Sequence, residues 1–306
     1  MLVLKPKTQK GFSLIELLVG LAAGLTLLSG VIGIFSATIG STGYNLKMTR
    51  VNQELRTVMD LMARDIRRAG YWGKAVDASR PIGKLTPSAL TGTITLTSTE
   101  ASFAPFGAQI VGLSVFTGSG SALVTGLVSS STVNATVVRN FASLNKIDDG
   151  YWMISSPFTN TANATDIAVS TTQNCIQYSY DRNGDSVVDA NERFGFRLNG
   201  TTVEIHKGGT INCTTGNGNW EAITNNTIEV TTLTFDNSDS RCINLTSGSS
   251  NCTAGASDYV APSSGDVLEW IRQIDITLSG RLAANTEIAR TLVETVRVRN
   301  DRISVN

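Results

Sequence analysis

From Phe12 to Ile39 the chain contains no Lys, Arg, Asp or His, and its single charge is Glu16. A bilayer core of about 30 Å needs only about 20 apolar residues to be crossed as a helix, so this run is long enough to span a membrane. Lys5, Lys7 and Lys10 precede it and no basic residue follows until Lys47. By the positive-inside rule the N-terminus then stays in the cytoplasm and everything after the span is exported. A secretory signal peptide carries its small-residue cleavage site after the apolar region. Here the candidate processing point, Gly11-Phe12, precedes it, so the apolar helix stays in the mature chain.

Glu16 is the anomaly, because a carboxylate inside a membrane helix costs on the order of 2.5 to 3.5 kcal/mol on insertion scales and is usually paired. One reading lets it snorkel to the nearby interface. The other rests on a resemblance: Lys10-Gly11-Phe12-Ser13-Leu14-Ile15-Glu16 resembles the prepilin signature of type IV pilins and type II secretion pseudopilins. That resemblance implies a prepilin peptidase cutting between Gly11 and Phe12, N-methylation of Phe12, and an assembly role for Glu16, which would pair with the terminal amine of a neighbouring subunit.

Beyond the span, Val51, Leu55, Val58, Met62, Ile66 and Ala69 recur at helical spacing while Arg50, Glu54, Arg56, Asp60, Arg64, Asp65 and Arg67 fill the other faces. One amphipathic stripe should therefore pack on a globular domain. A helix from Phe12 to Arg68 would be about 85 Å long at a rise of about 1.5 Å per residue. Gly40, Ser41, Thr42 and Gly43 cluster within it, where helix propensity is weakest, and predict a bend or local melting. Pilins commonly carry a proline in this helix, yet none lies between Pro6 and Pro81.

The remainder reads as β-structure. Strands are predicted over Thr93–Thr97, Ile110–Phe116, Thr132–Val138, Tyr151–Ile154, Cys175–Tyr180, Val267–Leu278 and Thr291–Val298. Arg193–Leu198 and Thr202–His206 flank Asn199-Gly200, a signal for a two-residue hairpin turn. The fold class is α+β: a long N-terminal helix, transmembrane in its first half and amphipathic in its second, packed on a mainly antiparallel β-sheet domain. The expected organisation is a leader over 1–11, the helix over 12–70 with its span over about 12–39, and a β-rich domain over 71–306, with two subdomains dividing near 145–170 as one option. The Ser, Thr and Gly-rich stretch from Thr91 to Ser143 reads more simply as a solvent-facing sheet than as an adhesive surface.

Cys175, Cys213, Cys242 and Cys252 all lie in the exported part, where an even count favours two disulfides in one of three connectivities. Cys175 with Cys213 and Cys242 with Cys252 is the favoured pairing. Metal binding by these cysteines fits less well, because no C-x-x-C pair exists and His206, the one histidine, is not at ligand spacing from a cysteine. Asp181, Asn183, Asp185, Asp189 and Glu192 occupy positions 1, 3, 5, 9 and 12 of an EF-hand-like loop, with the Val187 carbonyl between them, and point to Ca²⁺. Ser186 stands where such loops place glycine, and the flanks look like strands. An Asp- and Asn-rich turn without metal is the competing reading.

Catalytic and nucleotide-binding motifs are missing, which argues against an enzyme. Charged residues make up 16% of the chain and cancel to a net charge of zero, so a strongly electrostatic partner such as nucleic acid is not expected. Arg297, Arg299 and Arg302 follow and alternate with Val296 and Val298, and read as the polar face of a strand.

Within the superfamily, LRTVMDLMARDIRRAGYWG (Leu55–Gly73), WEAITNNTIEVTTLTF (Trp220–Phe235) and TVRVRN (Thr295–Asn300) resemble the PilW-type minor pilins and their relatives, the J-type minor pseudopilins. That resemblance implies a subunit that primes type IV pilus assembly at or near the tip. It would sit in the inner membrane before assembly and then on the cell surface. Its implied partners are other minor pilins, the major pilin, prepilin peptidase and a tip adhesin. A J-type pseudopilin of type II secretion and a calcium-dependent adhesin are the alternatives.

Overall fold

The computed structural model describes residues 11–75, 85–98, 103–117, 120–141, 153–158, 166–213, 218–248 and 250–306. The leader before Gly11 and the start of the Tyr151–Ile154 strand fall outside them. The chain divides into two units at Arg50, and helix α1 (Leu14–Ile66) contributes to both.

In the first unit α1 is apolar on every side. Each large apolar side chain between Phe12 and Ile39 is at least 56% exposed. The local melting expected at Gly40–Gly43 does not occur, since all four residues are helical. No proline removes a main-chain donor there, and the Thr42 hydroxyl donates to the Thr38 carbonyl at 2.8 Å, within the helix.

The second unit, Val51–Asn306, begins with the amphipathic half of α1. Val51, Leu55, Val58, Met59, Met62, Ala63 and Ile66 are buried, the stripe that 3.6-residue spacing requires, with Met59 and Ala63 added to the predicted set. Opposite Leu55 the sheet carries Gly280, where a Cβ would lie 2.9 Å from Leu55 Cδ2, so the missing side chain makes room for the helix.

Among the described residues the strands form four antiparallel sheets. The first contains β1 (Leu85–Pro87), β2 (Thr93–Ser98), β3 (Ser114–Phe116), β4 (Ser121–Ser129), β5 (Thr132–Arg139) and β6 (Met153–Ile154), in the order β1-β2-β5-β4-β3-β6. Its strands bury Ile94, Leu96, Val124, Val133 and Ala135 in a core that Trp72 also enters. The strand predicted over Ile110–Phe116 is shorter, because a 3-10 turn ends at Ile110 and Gly112 takes φ +92° before β3 starts.

The second sheet contains β7 (Ile167–Val169), β8 (Cys175–Ser179), β9 (Arg193–Asn199), β10 (Thr202–Lys207) and β11 (Trp220–Ala222), ordered β11-β10-β9-β8-β7. The β9–β10 hairpin turns one residue later than predicted: Asn199 pairs with Thr202, so Gly200 and Thr201 make the turn. Of the two only Gly200 has positive φ, at 61°, the II′-like choice that places glycine first. Asn199 stays in the strand, where its amide donates to Glu204 at 3.0 Å.

The third sheet is β12 (Ile228–Asp236), β16 (Gln273–Leu282) and β17 (Asn285–Arg297), ordered β12-β16-β17; the fourth is β13 (Arg241–Asn244), β14 (Ser250–Asn251), β15 (Val267–Ile271) and β18 (Arg302–Val305), ordered β14-β13-β15-β18. The single strand predicted over Val267–Leu278 is therefore two strands in two sheets. They part at Arg272, whose buried guanidinium turns onto the Asp166 carboxylate. Arg302 reaches the same carboxylate at 3.3 Å, and both arginines lie over the Trp270 ring, 5.7 and 5.2 Å from its centroid. A charge buried this deeply is tolerable only when paired, and the cluster ties the segment before β7 to the third and fourth sheets.

Candidate functional site

At the N-terminal end, Gly11, Phe12 and Ser13 precede the helix, and Phe12 is 86% exposed. The Leu17 amide donates to the Ser13 carbonyl at 3.1 Å, which makes Ser13 the N-cap and Glu16 the third helical residue. Ser-x-x-Glu is the capping-box pattern, and a carboxylate there faces the partial positive charge of the helix start. The acid that looks misplaced in an apolar run stands where a helix accepts it best. Glu16 and the apolar surface that follows it are exposed, open to a lipid or protein partner.

At the other end, Arg67-Arg68-Ala69-Gly70-Tyr71-Trp72-Gly73 stops the helix and docks it. The Arg67 carbonyl accepts from the Arg299 amide at 3.2 Å, and the Arg68 and Ala69 carbonyls accept from the Asn300 side chain at 3.4 and 3.2 Å. Gly70 turns with φ +73°, where a Cβ would meet the Asn300 carbonyl at 3.3 Å, and its amide donates to the Ser179 carbonyl at 2.9 Å. Trp72 then enters the core of the first sheet, its ring 6.3 Å from that of Phe106.

The Asp181–Glu192 loop closes around this segment. Asp181 is fully buried. Its Oδ1 accepts from the amides of Gly184 (2.6 Å) and Asp185 (3.2 Å), and its Oδ2 from those of Gly73 and Ser186, both at 2.7 Å. Glu192 accepts from the amides of Arg182, Asn183 and Asp189, and with Asp189 forms a capping box on a short 3-10 turn. Asp185 accepts from the Asn183 side chain and the Val187 amide. Ser186 adopts the left-handed conformation, φ 72°, that an EF-hand-like loop gives to glycine.

The residues at the expected calcium positions thus share one loop, in which the carboxylates of Asp181 and Glu192 accept from main-chain amides. Among the described residues no three of His, Cys, Asp or Glu converge as a metal site. Asp181, Asn183, Asp185, Val187, Asp189 and Glu192, the residues of the expected Ca²⁺ set, lie in a hydrogen-bonded loop that clasps Gly73 through the Asp181 carboxylate. A Cβ on Gly73 would come within 2.4 Å of the Gly184 carbonyl, so the clasp closes only on glycine.

Two disulfides staple the second unit, Cys175–Cys213 and Cys242–Cys252, with Cα separations of 5.8 and 4.9 Å. His206 is buried with Trp220 edge-on at 5.0 Å, and burial holds its pKa below the ordinary value. The C-terminal arginines do not share one polar face: Arg297 is exposed and pairs with Asp301, whereas Arg302 is buried on Asp166. Sequence reading missed that cluster because its members stand far apart, 136 residues for Asp166 and Arg302, with no motif linking them.

Residues 44–111 and 146–298 match the family described as Prepilin peptidase-dependent protein B, and residues 6–32 match the Prokaryotic N-terminal methylation motif. The chain belongs to the prepilin peptidase-dependent protein B family. No curated protein and no solved structure matches it. As a pilin-like member of this family it is a substrate class of prepilin peptidase, and its methylation motif contains Gly11, Phe12 and Glu16. The family match also contains the helix end, the clasp and all four cysteines, while the interval it omits carries β3, β4 and β5.

Proposed function

We propose that this pilin-like protein is a PilW-type minor pilin that primes type IV pilus assembly and sits at or near the tip. The observation that carries the reading is an exposed, all-apolar half-helix with one acid in its first turn, in a chain whose remaining residues form a large β-rich unit. Prepilin peptidase cuts between Gly11 and Phe12, and Phe12 is N-methylated. The apolar half-helix holds the subunit in the inner membrane and later packs with the half-helices of the major pilin and other minor pilins. Leaving lipid costs little, because one set of apolar contacts replaces another, while Glu16 gains the terminal amine of a neighbour. A β-rich unit of this size crowds a helical filament, which favours a few copies beside a tip adhesin over a role as the main subunit.

Deleting the gene and scoring surface pili beside secreted exoproteins tests the assignment. Lost pili with normal secretion is the expected result; lost secretion with normal pili would make the chain a J-type pseudopilin. Mass spectrometry of the mature chain should show N-methylphenylalanine at its start, and an intact leader would overturn the processing step.

A further inference from the structure

The clasp and the helix end frame a cavity of about 400 Å³ that none of the roles above uses. Four arginines line it, Arg67, Arg68, Arg182 and Arg299, together with the rings of Tyr71 and Tyr180. They arrive from three separate segments that the folding contacts hold in place. The Arg182 amide donates to Glu192 at 2.6 Å, the Arg299 amide donates to the Arg67 carbonyl at 3.2 Å, and Tyr180 stacks on Phe194 at 4.6 Å. The helix end would ordinarily repel an anion through its free carbonyls. Here Arg299 and Asn300 occupy the carbonyls of Arg67, Arg68 and Ala69. Asp181, the one acid in the lining, has both oxygens turned onto amides.

We propose that this cavity is a binding site for a short acidic segment of another protein chain, with a carboxylate held by the arginine forks and an apolar side chain packed on the tyrosines. Guanidinium groups match carboxylates in a bidentate geometry, and two of the four already pair with one: Arg67 donates to Glu294 at 2.8 Å and Arg68 pairs with Asp65 at 3.7 Å. Arg182 and Arg299 have no acidic partner among the described residues and supply the free forks. A nucleic-acid strand is disfavoured because Glu294 and Asp65 stand beside the cations, the chain has no net charge, and strand binding relies on a basic track for successive phosphates. The site stands on its lining and does not rest on the pilus assignment.

The test is fluorescence anisotropy on the full chain in detergent, with labelled Ac-Asp-Phe-Glu-amide against its neutral isostere Ac-Asn-Phe-Gln-amide. The acidic peptide should bind at least about tenfold more tightly than the neutral one. The Arg182→Ala, Arg299→Ala double variant should lose that preference, while Arg290→Ala, an exposed arginine on β17, should keep it. Both substituted side chains are exposed, and unchanged circular dichroism would show that the fold survives. Equal affinity for the two peptides, an unaltered preference in the double variant, or tighter binding of an oligothymidylate probe than of the acidic peptide would each overturn the proposal.

Discussion

The two halves of α1 obey different rules although one helix assignment covers both. From Phe12 to Ile39 the surface is apolar all round and exposed among the described residues, the character of a helix whose partners are lipid or other subunits. From Val51 to Ile66 one apolar stripe is buried, and charged and uncharged polar residues, with the exposed Leu61, occupy the rest. The first half is written for its surroundings and the second for its own fold. Substitutions of equal size in the two halves should therefore read out in different assays.

Leu55→Ala tests the buried half most severely. Leu55 is fully buried, and removing it should cost about 2 to 5 kcal/mol, measured by denaturant unfolding of the full chain in detergent. A loss under about 1 kcal/mol would contradict the packing described. Gly280→Ala attacks the same contact from the sheet, since the new Cβ would lie 2.9 Å from Leu55 Cδ2 and 3.3 Å from the Glu229 carbonyl. A cost of about 1 to 3 kcal/mol is expected, and it should shrink in the Leu55→Ala background because the two sites share one space.

Asp65→Asn sharpens the comparison through pH. Burial raises the Asp65 pKa, against the lowering effect of Arg68 and of the Tyr178 hydroxyl 3.4 Å away. A folded-state pKa above the unfolded one means that the native state holds the proton more tightly, so ionised Asp65 costs stability at neutral pH and the cost disappears as pH falls through both values. The variant should raise Tm at pH 7 by on the order of 1 °C and lose that gain below about pH 4. A gain that persists in acid would point to packing instead of charge. Leu28→Ala in the exposed half should change the same unfolding free energy by less than about 0.5 kcal/mol. A large loss there would mean that the apolar half has an intramolecular partner.

Periodicity made the helix and its buried stripe legible, since side chains spaced 3.6 residues apart leave little choice of face. Alternation did the same for Thr93–Thr97 and Thr132–Val138. It failed at Arg272 because a run of apolar and polar residues looks alike whether one strand continues or two sheets exchange the chain; a remote carboxylate, Asp166, decides it. The Asn199-Gly200 turn was off by one residue, since a type II′-like turn needs glycine first whereas the sequence signal assumes it second. Oxygen spacing in Asp181–Glu192 showed which side chains would share a loop but not what they would meet. The Gly73 amide, 108 residues before Asp181, supplies part of the answer, and no local pattern encodes it. The Lys10–Glu16 string was legible because processing acts on local sequence, whereas the arginine-lined cavity needs three distant segments to meet.

The bond from Asn300 to the Arg68 carbonyl joins residues 232 positions apart. A chain synthesised from its N-terminus yields the amphipathic half-helix early and the segment that finishes it nearly last. Until synthesis ends the stripe from Val51 to Ile66 has no completed sheet to rest on, and the helix end keeps open carbonyls until Arg299 and Asn300 are made. The order of synthesis thus imposes a timetable on folding, in which the first helix made is among the last elements to be finished.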